Sequence, residues 1–216
     1  MAEPEQPAAV QPQPGGSVPG GSGAFKPLIR SVPDFPKAGI VFRDITTLLK
    51  DGPALKRAVE QMARPFAGEG VEMVVGAEAR GFIMGAAVAC SLEAGFVPVR
   101  KAPQAPSGSA PQSALPLKDQ PRLRRLPAAC IEETYELEYG TDALAMHQDA
   151  IRPGQKVLMV DDLLATGGTM AACCRMVESL GGKIVGCVFL IELSFLPGRE
   201  KLRQYKVVSL IDYESE

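Results

Sequence analysis

The chain has 216 residues, of which 46% are hydrophobic, and its 23 basic and 25 acidic side chains give a net charge of −2. This length and apolar content are enough for one sizeable core, and the charge balance provides no basic field for nucleic acid. No apolar run approaches the roughly 20 residues of a membrane-spanning helix, so we expect neither nucleic acid nor a membrane as partner. Five cysteines without C-x-x-C spacing and the lack of a signal-peptide pattern predict a cytoplasmic protein with reduced thiols.

Two segments are too poor in apolar residues to build a core. Residues 1–24 are almost all Pro, Gly, Gln, Ala, Ser and Glu, and residues 102–125 read APQAPSGSAPQSALPLKDQPRLRR. Such compositions bury too little apolar surface to offset the entropy lost on ordering. We therefore predict a disordered tail over residues 1–24 and a single domain over residues 25–216, with a disordered insertion over residues 102–125.

The rest of the chain alternates between helix and strand patterns. In chain order, hydrophobic spacing and Gly-Gly stop signals predict a helix over 55–66, a strand over 71–75, a helix over 82–92, strands over 96–100 and 156–160, a helix over 169–180, and strands over 184–191 and 206–211. Strands that are apolar throughout and separated by helices are typical of a parallel sheet covered on both faces. We predict an α/β fold with a parallel twisted sheet flanked by helices.

The most informative segment is VLMVDDLLATGGT, residues 157–169, in which a buried strand leads into a loop of small residues that opens a helix. Ligands of parallel sheets bind at the carboxyl ends of the strands, where this loop would lie. Ala165, Gly167 and Gly168 allow the backbone to approach an anion closely. Thr166 and Thr169 add hydroxyl donors, and the helix N-terminus adds free N–H groups. We call residues 165–169 the phosphate loop.

Two adjacent carboxylates, Asp161 and Asp162, precede the phosphate loop. Such a pair suits the hydroxyls of a ribose, or a Mg²⁺ ion held through water. The segment is not a Walker loop, because no G-x-x-x-x-G-K-[ST] occurs in the chain. An Asp-Asp pair before a Thr-Gly turn also occurs in ordinary loops, but the whole segment favours a ligand site.

Residues 157–169 resemble the phosphoribosyl-diphosphate-binding motif of the type I phosphoribosyltransferases. Four further segments resemble one branch of that family, the adenine phosphoribosyltransferases: PDFPKAGIVFRDIT, GAEARGF, YELEYG and LIELSFLPGREKL. They occur in that family's order, and the resemblance extends from about residue 29 to residue 213, leaving out the tail and the insertion.

The resemblance implies the type I phosphoribosyltransferase fold, with a small hood and a mobile flap that contains the insertion. It implies transfer of the 5-phosphoribosyl group from 5-phosphoribosyl-1-diphosphate to adenine, giving AMP and diphosphate. It also implies Mg²⁺ carried by the diphosphate substrate, with no separate protein metal site, and a homodimer.

The resemblance assigns the parts of the phosphoribosyl diphosphate to residues. The phosphate loop would hold the 5′-phosphate, and Asp161 and Asp162 would hold the ribose hydroxyls. Arg80 and Lys101 would contact the diphosphate, and a cis peptide would fall near Glu78–Ala79. From the sequence alone, a surface arginine that caps a helix is the competing, less favoured interpretation of Arg80.

The resemblance also assigns an adenine pocket. Val41 and Arg43 would supply backbone contacts to the edge of the base, Phe42 and Leu163 would neighbour its faces, and Leu193 would close the rear. Without the resemblance, Val41 and Phe42 fit an ordinary core equally well.

Near the reacting atoms, the resemblance places Glu138 and Tyr139. Departure of diphosphate leaves positive charge on the ribose, and a carboxyl with a raised pKa near N7 of the base can share a proton as N9 attacks. This role falls to Glu138, with Tyr139 gating the site. The competing interpretation is an acidic strand in which Glu138 is merely exposed.

Three other functions remain open at this point. The first is a phosphoribosyltransferase for another base, against which the FRDIT and LEYG strings argue. The second is a regulator that binds phosphoribosyl diphosphate without catalysis, although no helix-turn-helix precedes the domain. The third is an impaired enzyme, because the insertion interrupts a turn in the implied flap.

Overall fold

The structure is a computed structural model that describes residues 22–102, 126, 128–137 and 140–215. Within them the helices are α1 (Ser22–Phe25), α2 (Thr46–Leu49), α3 (Gly52–Ala63), α4 (Arg80–Ser91), α5 (Gly168–Ser179) and α6 (Gly198–Lys201). The strands are β1 (Arg30–Val32), β2 (Phe42–Asp44), β3 (Met73–Ala77), β4 (Gly95–Lys101), β5 (Cys130–Leu137), β6 (Gly140–His147), β7 (Lys156–Leu164), β8 (Lys183–Leu193) and β9 (Val207–Tyr213).

The main sheet has seven strands in the order β5-β6-β4-β3-β7-β8-β9. The five strands from β4 to β9 in this order pair in parallel, as the apolar runs predict. At the other edge are β5 and β6, two strands that the apolar runs do not predict. Because β6 is antiparallel both to β4 and to β5, the whole sheet is mixed. The reason is local: β5 and β6 form one hairpin, whose tight reversal is compatible only with antiparallel pairing.

Successive residues of the central strands pack on opposite faces of the sheet. Val74 and Leu158 join the apolar cluster under α3 and α4, whereas Val75 and Met159 join the cluster under α5. This alternation is what a strand buried on both sides requires, and it explains why these strands contain few polar residues. Among the described residues, no helix is long and apolar enough to cross a membrane.

A second, two-stranded sheet is formed by β1 and β2, which pair in antiparallel register from Arg30 opposite Asp44 to Val32 opposite Phe42. This is the hood that the resemblance implies. The helical turn α1 crosses the predicted boundary between the tail and the domain. Phe25, the first residue of the predicted domain, is only 1% exposed and belongs to the core.

The two ends of the insertion lie in one apolar cluster. Ala102 was predicted to begin the disordered segment, yet it is buried with Leu126 and Ala145, and its N–H donates to the carbonyl of Ala143 at 2.7 Å. Residues 103–125 lie outside the described residues, so their disorder stays a prediction. The hairpin β5–β6 is the described part of the implied flap.

Candidate active site

A cleft of about 590 Å³ opens at the carboxyl ends of β3, β4 and β7. This is the edge at which parallel sheets bind ligands. The cleft is lined by Glu78, Ala79, Arg80, Lys101, Tyr135 and residues 161–170. It thus brings together the acidic pair, the phosphate loop and the two basic residues that the resemblance assigns to diphosphate.

The phosphate loop joins β7 to α5 through a backbone that only glycine can adopt at Gly167. The φ of Gly167 is +75°, and a Cβ on that residue would lie 2.8 Å from the carbonyl oxygen of Gly198. Because α5 begins at Gly168, its first N–H groups have no partners within the helix and carry the positive end of the helix dipole. The loop therefore presents a cradle for an anion.

The two carboxylates of the acidic pair lie in different surroundings. The Oδ1 atom of Asp161 accepts a hydrogen bond from the N–H of Asp162 at 2.9 Å. It also lies against Gly81, where an added Cβ would come within 2.5 Å of it. Burial raises the pKa of Asp161 well above its ordinary value, and the negative charge of Asp162 raises it further.

Arg80 is the first residue of α4 and connects the acidic pair to the hood. Its Nε lies 2.5 Å from Oδ2 of Asp162, and its guanidinium carbon lies 5.0 Å from the ring centre of Phe42. Arg80 is therefore held in the cleft, which disfavours its interpretation as a free surface residue. The preceding Glu78–Ala79 peptide is cis, as the resemblance implies.

Lys101 belongs to a polar cluster that the sequence reasoning missed. Its ammonium lies 3.0 Å from Oδ2 of the buried Asp142, whose hydrogen bond raises the pKa of Lys101. The Tyr135 hydroxyl donates to the same carboxylate at 3.4 Å and shares a hydrogen bond with the side chain of Thr169. Tyr135 and Asp142 are cross-strand partners in the hairpin. Recognising the hairpin in the sequence would have paired them.

Glu78 supports the same corner of the cleft from β3. Its carboxylate accepts from the backbone N–H of Lys101 at 3.0 Å and from Nε of Arg100 at 3.3 Å. The carboxyl ends of β3 and β4 are therefore tied together by one side chain directly beside the cis peptide.

Of the residues assigned to adenine, Leu163 alone is part of the described lining of the cleft. The Arg43 guanidinium stacks on Tyr213 at 4.0 Å and donates to Oγ of Ser31 at 2.6 Å. Its side chain is thus engaged with β1 and β9 and not in the cleft. Leu193 packs against the apolar cluster under α3 and α4.

Three assigned residues gain no direct support from contacts. Val41 is half-buried just before β2, and it is not among the residues that line the described cleft. Glu138 and Tyr139 lie outside the described residues, so their catalytic and gating roles stay predictions.

A family model described as a phosphoribosyl transferase domain matches residues 46–215. This is the class of protein that the parallel sheet, the acidic pair and the phosphate loop define.

The most similar relatives narrow that class. An adenine phosphoribosyltransferase of Geobacter metallireducens is 51% identical over 189 residues, which are 88% of this chain and 98% of the relative. The crystal structure of adenine phosphoribosyltransferase from Thermoanaerobacter pseudethanolicus, 46% identical, has a TM-score of 0.75 and covers 88% of this chain and 98% of its own. The crystal structure of the Saccharomyces cerevisiae enzyme, complexed with an imino-altritol bisphosphate and adenine, is 34% identical and has a TM-score of 0.73. The match covers 87% of this chain and 96% of the yeast chain. The chain belongs to the adenine phosphoribosyltransferase family.

Proposed function

We propose that the cleft is the active site in which this chain transfers the 5-phosphoribosyl group from 5-phosphoribosyl-1-diphosphate to adenine, giving AMP and diphosphate. The observation that carries the proposal is the convergence of the phosphate loop, the acidic pair, Arg80 and Lys101 on one cleft. The phosphate loop and the two basic residues match the negative charge of the phosphates, and the acidic pair matches the hydroxyl donors of the ribose. The membership of the family supports the choice of reaction.

The substrate would lie along the cleft with its charges matched in order. The 5′-phosphate binds the N–H groups of the phosphate loop and the hydroxyls of Thr166 and Thr169. The ribose hydroxyls donate to Asp161 and Asp162, and the diphosphate lies towards Arg80 and Lys101. Since Arg80 and Lys101 pair with Asp162 and Asp142, their side chains are positioned before a ligand arrives, which reduces the entropy lost on binding.

In the proposed reaction, N9 of adenine forms a bond to the anomeric carbon while the bond from that carbon to the diphosphate oxygen breaks, and the electron pair leaves with the diphosphate. Positive charge develops on the ribose ring in the transition state. We propose that Phe42 and Leu163 flank the base, that the backbone of Val41 and Arg43 contacts its edge, and that Leu193 closes the rear. The adenine ring loses one proton in this substitution, and Glu138 would share that proton at N7 before it passes to water. Tyr139 would gate the site.

The cleft fits a Mg²⁺ ion that is held chiefly by the diphosphate. Among the described residues, no group of three or more His, Cys, Asp or Glu side chains could hold a metal by itself. Asp161 and Asp162 supply two carboxylates, and Mg²⁺ commonly binds one or two carboxylates together with substrate phosphates and water. When bound, the ion would neutralise charge on the departing diphosphate.

We also propose that the enzyme is a cytoplasmic homodimer. All five cysteines are free thiols, which supports a reducing compartment. Phe35 and Ile83 are 51% and 47% exposed, which supports their burial by a second copy of the chain. Sedimentation equilibrium of the purified chain tests the dimer, and a mass of one chain at micromolar concentration would contradict it.

Calorimetric titration with phosphoribosyl diphosphate and Mg²⁺ tests the assignment of the cleft. The parent chain should bind, and Asp162→Asn should bind at least about tenfold more weakly, because a charge-assisted hydrogen bond contributes roughly 1.5–3 kcal/mol. Asp149→Asn, which removes one exposed carboxylate elsewhere, is the matched control. Equal affinity of the parent and Asp162→Asn would contradict the assignment of the ribose to this cleft.

A further inference from the structure

The phosphate loop has little of its own to hold its shape. Gly167 and Gly168 lack side chains, and α5 has no side-chain cap at its N-terminus. Glycine pairs are conformationally permissive, so a rigid anion cradle built from them needs support from outside. The described support is the backbone of the turn that begins α6.

The support is the close contact of Gly198 with the loop. A Cβ on Gly167 would lie 3.0 Å from the Cα of Gly198 and 2.8 Å from its carbonyl oxygen. A Cβ on Gly198 would in turn overlap the carbonyl oxygen of Ala165 and come within 2.9 Å of the Leu164 side chain. The two backbones therefore touch without intervening side chains, and a shift of Gly198 displaces the loop.

The next residue, Arg199, anchors Gly198 to the sheet. Its guanidinium forms a two-pronged ion pair with Glu192, in which Nε donates to Oε1 at 2.7 Å and Nη2 donates to Oε2. Its Nη1 donates to the carbonyl of Val207 at 3.2 Å, and the Ser209 hydroxyl donates to Glu192 at 2.6 Å. Arg199 thus joins α6 to both β8 and β9.

The surroundings of the Arg199–Glu192 pair favour the charged form of both side chains. The Glu192 side chain is only 4% exposed. Burial alone raises the pKa of its carboxyl, but hydrogen bonds from Arg199 and Ser209 outweigh burial and lower that pKa. A buried carboxylate that loses its partner is strongly destabilised, so the bidentate geometry holds Arg199 in one place.

We propose that the Arg199–Glu192 pair is a positioning device for the phosphate loop, which it acts on through Gly198. Neither residue is among those that line the cleft, and the pair reaches the phosphate loop through Gly198. Their effect is to fix the cradle that the proposed function assigns to the 5′-phosphate, and in that respect the inference rests on the proposed function. Binding of a ribose 5′-phosphate group therefore depends on the pair, whereas binding of the free base does not.

Amide hydrogen exchange over residues 165–169 tests the mechanical part without any ligand. Arg199→Gln should speed amide exchange in this segment. Arg199→Lys keeps the positive charge but cannot form both hydrogen bonds to Glu192, so its exchange rate should lie between those of Arg199→Gln and the parent. Arg203→Gln is the matched control, because Arg203 lies in the same region and forms an exposed pair with Glu200. Unchanged loop exchange in a folded Arg199→Gln chain would overturn the proposal.

Steady-state kinetics tests the functional part. Arg199→Gln should raise the KM for phosphoribosyl diphosphate by about tenfold or more, because small displacements of positioning groups are costly, while the KM for adenine changes less than about twofold. Gly198→Ala pushes directly on the loop and keeps both side chains of the ion pair, so it should also raise the KM for phosphoribosyl diphosphate more than the KM for adenine, even if Arg199→Gln folds poorly. Equal increases in both KM values would show general loosening and contradict the proposal. Inactivity of the parent chain would count against the proposed function, and the exchange experiment would still decide this inference.

Discussion

Arg80 and Asp162 form an ion pair across the cleft, with 2.5 Å between Nε and Oδ2. The two residues come from neighbouring strand ends of the sheet, where α4 follows β3 and the phosphate loop follows β7. Asp162 is 6% exposed, so the pair supplies the positive charge that its buried carboxylate needs. The residue proposed for the diphosphate and a residue proposed for the ribose are therefore positioned by each other.

The first prediction concerns this pair. Arg80→Gln removes the cation that pairs with Asp162 and that is proposed to contact the diphosphate, so the KM for phosphoribosyl diphosphate should rise at least about tenfold. The unpaired Asp162 should also lower the thermal midpoint. Initial rates and thermal melts check both effects, with Arg203→Gln as the control, and an unchanged KM would remove Arg80 from the substrate site.

The phosphate loop gives the second prediction. Thr169→Ala removes a hydroxyl that is proposed to donate to the 5′-phosphate, so the KM for phosphoribosyl diphosphate should rise by about tenfold or more while the fold is kept. Thr134→Ala, at an exposed position of β5, is the matched control. If Thr169→Ala and Thr134→Ala give the same KM, Thr169 does not bind phosphate.

The third prediction concerns the proposed proton transfer. Glu138→Gln keeps the size of the side chain but removes its titrating proton, so kcat should fall by about 10²-fold. Binding of AMP should weaken much less. Glu132→Gln alters an exposed acid of β5 and should leave kcat near that of the parent. A kcat within twofold of the parent for Glu138→Gln would favour the exposed-strand interpretation.

The hood gives a prediction about acid stability. A hydrogen bond from the backbone of Thr46, with further ones from its side chain and from Arg30, lowers the pKa of Asp44 from 3.8 to about 2. The folded chain therefore holds this proton less tightly than the unfolded chain, so the stabilisation is complete above about pH 4 and is lost as the pH falls towards 2. Asp44→Asn should lower the thermal midpoint at pH 6 and reduce its fall between pH 4 and pH 2.5. Asp149→Asn is the control; parallel curves for Asp44→Asn and the parent would contradict the assignment.

The sequence predicted the phosphate loop and the central strands because both depend on local patterns. Apolar runs such as that of β7 mark a strand buried on both faces, and a small-residue loop before a helix marks an anion site. The hairpin β5–β6 was not recognised, since its strands mix acidic and apolar residues. The Lys101–Asp142 contact was consequently missed as well.

Contacts between distant segments were beyond the sequence patterns. The approach of Gly198 to Ala165 joins residues 33 positions apart, and nothing in the spacing of either segment indicates it. The Phe42–Arg80 contact likewise depends on how the hood sits over α4. Such contacts arise from the packing of whole elements, which single-segment patterns do not contain.

The insertion gives the fifth prediction. Because Ala102 and Leu126 already share one apolar cluster, closing a longer loop between them adds only about 0.6 kcal/mol per doubling of its length. The fold should therefore tolerate the insertion, while closure of the flap over the diphosphate suffers. Replacing residues 102–124 by a short Gly-Lys turn should raise kcat and leave AMP binding unchanged. Steady-state kinetics on both proteins measures the change in kcat, and limited proteolysis of the loop is the control. Equal turnover would show that the insertion is neutral, and a loop that resists protease without ligand would show that it is structured.

The most direct test of the account is the rate of AMP formation by the purified chain from phosphoribosyl diphosphate, Mg²⁺ and adenine. Hypoxanthine, guanine, xanthine and orotate serve as competing bases in otherwise identical assays. The account predicts stoichiometric AMP and diphosphate from adenine, with at least about 10²-fold lower kcat/KM for the other bases, because groups shaped for adenine are left unpaired by them. Nucleotide formation from another base at a comparable rate would contradict the specificity, and binding of phosphoribosyl diphosphate without nucleotide formation from any base would contradict the central claim.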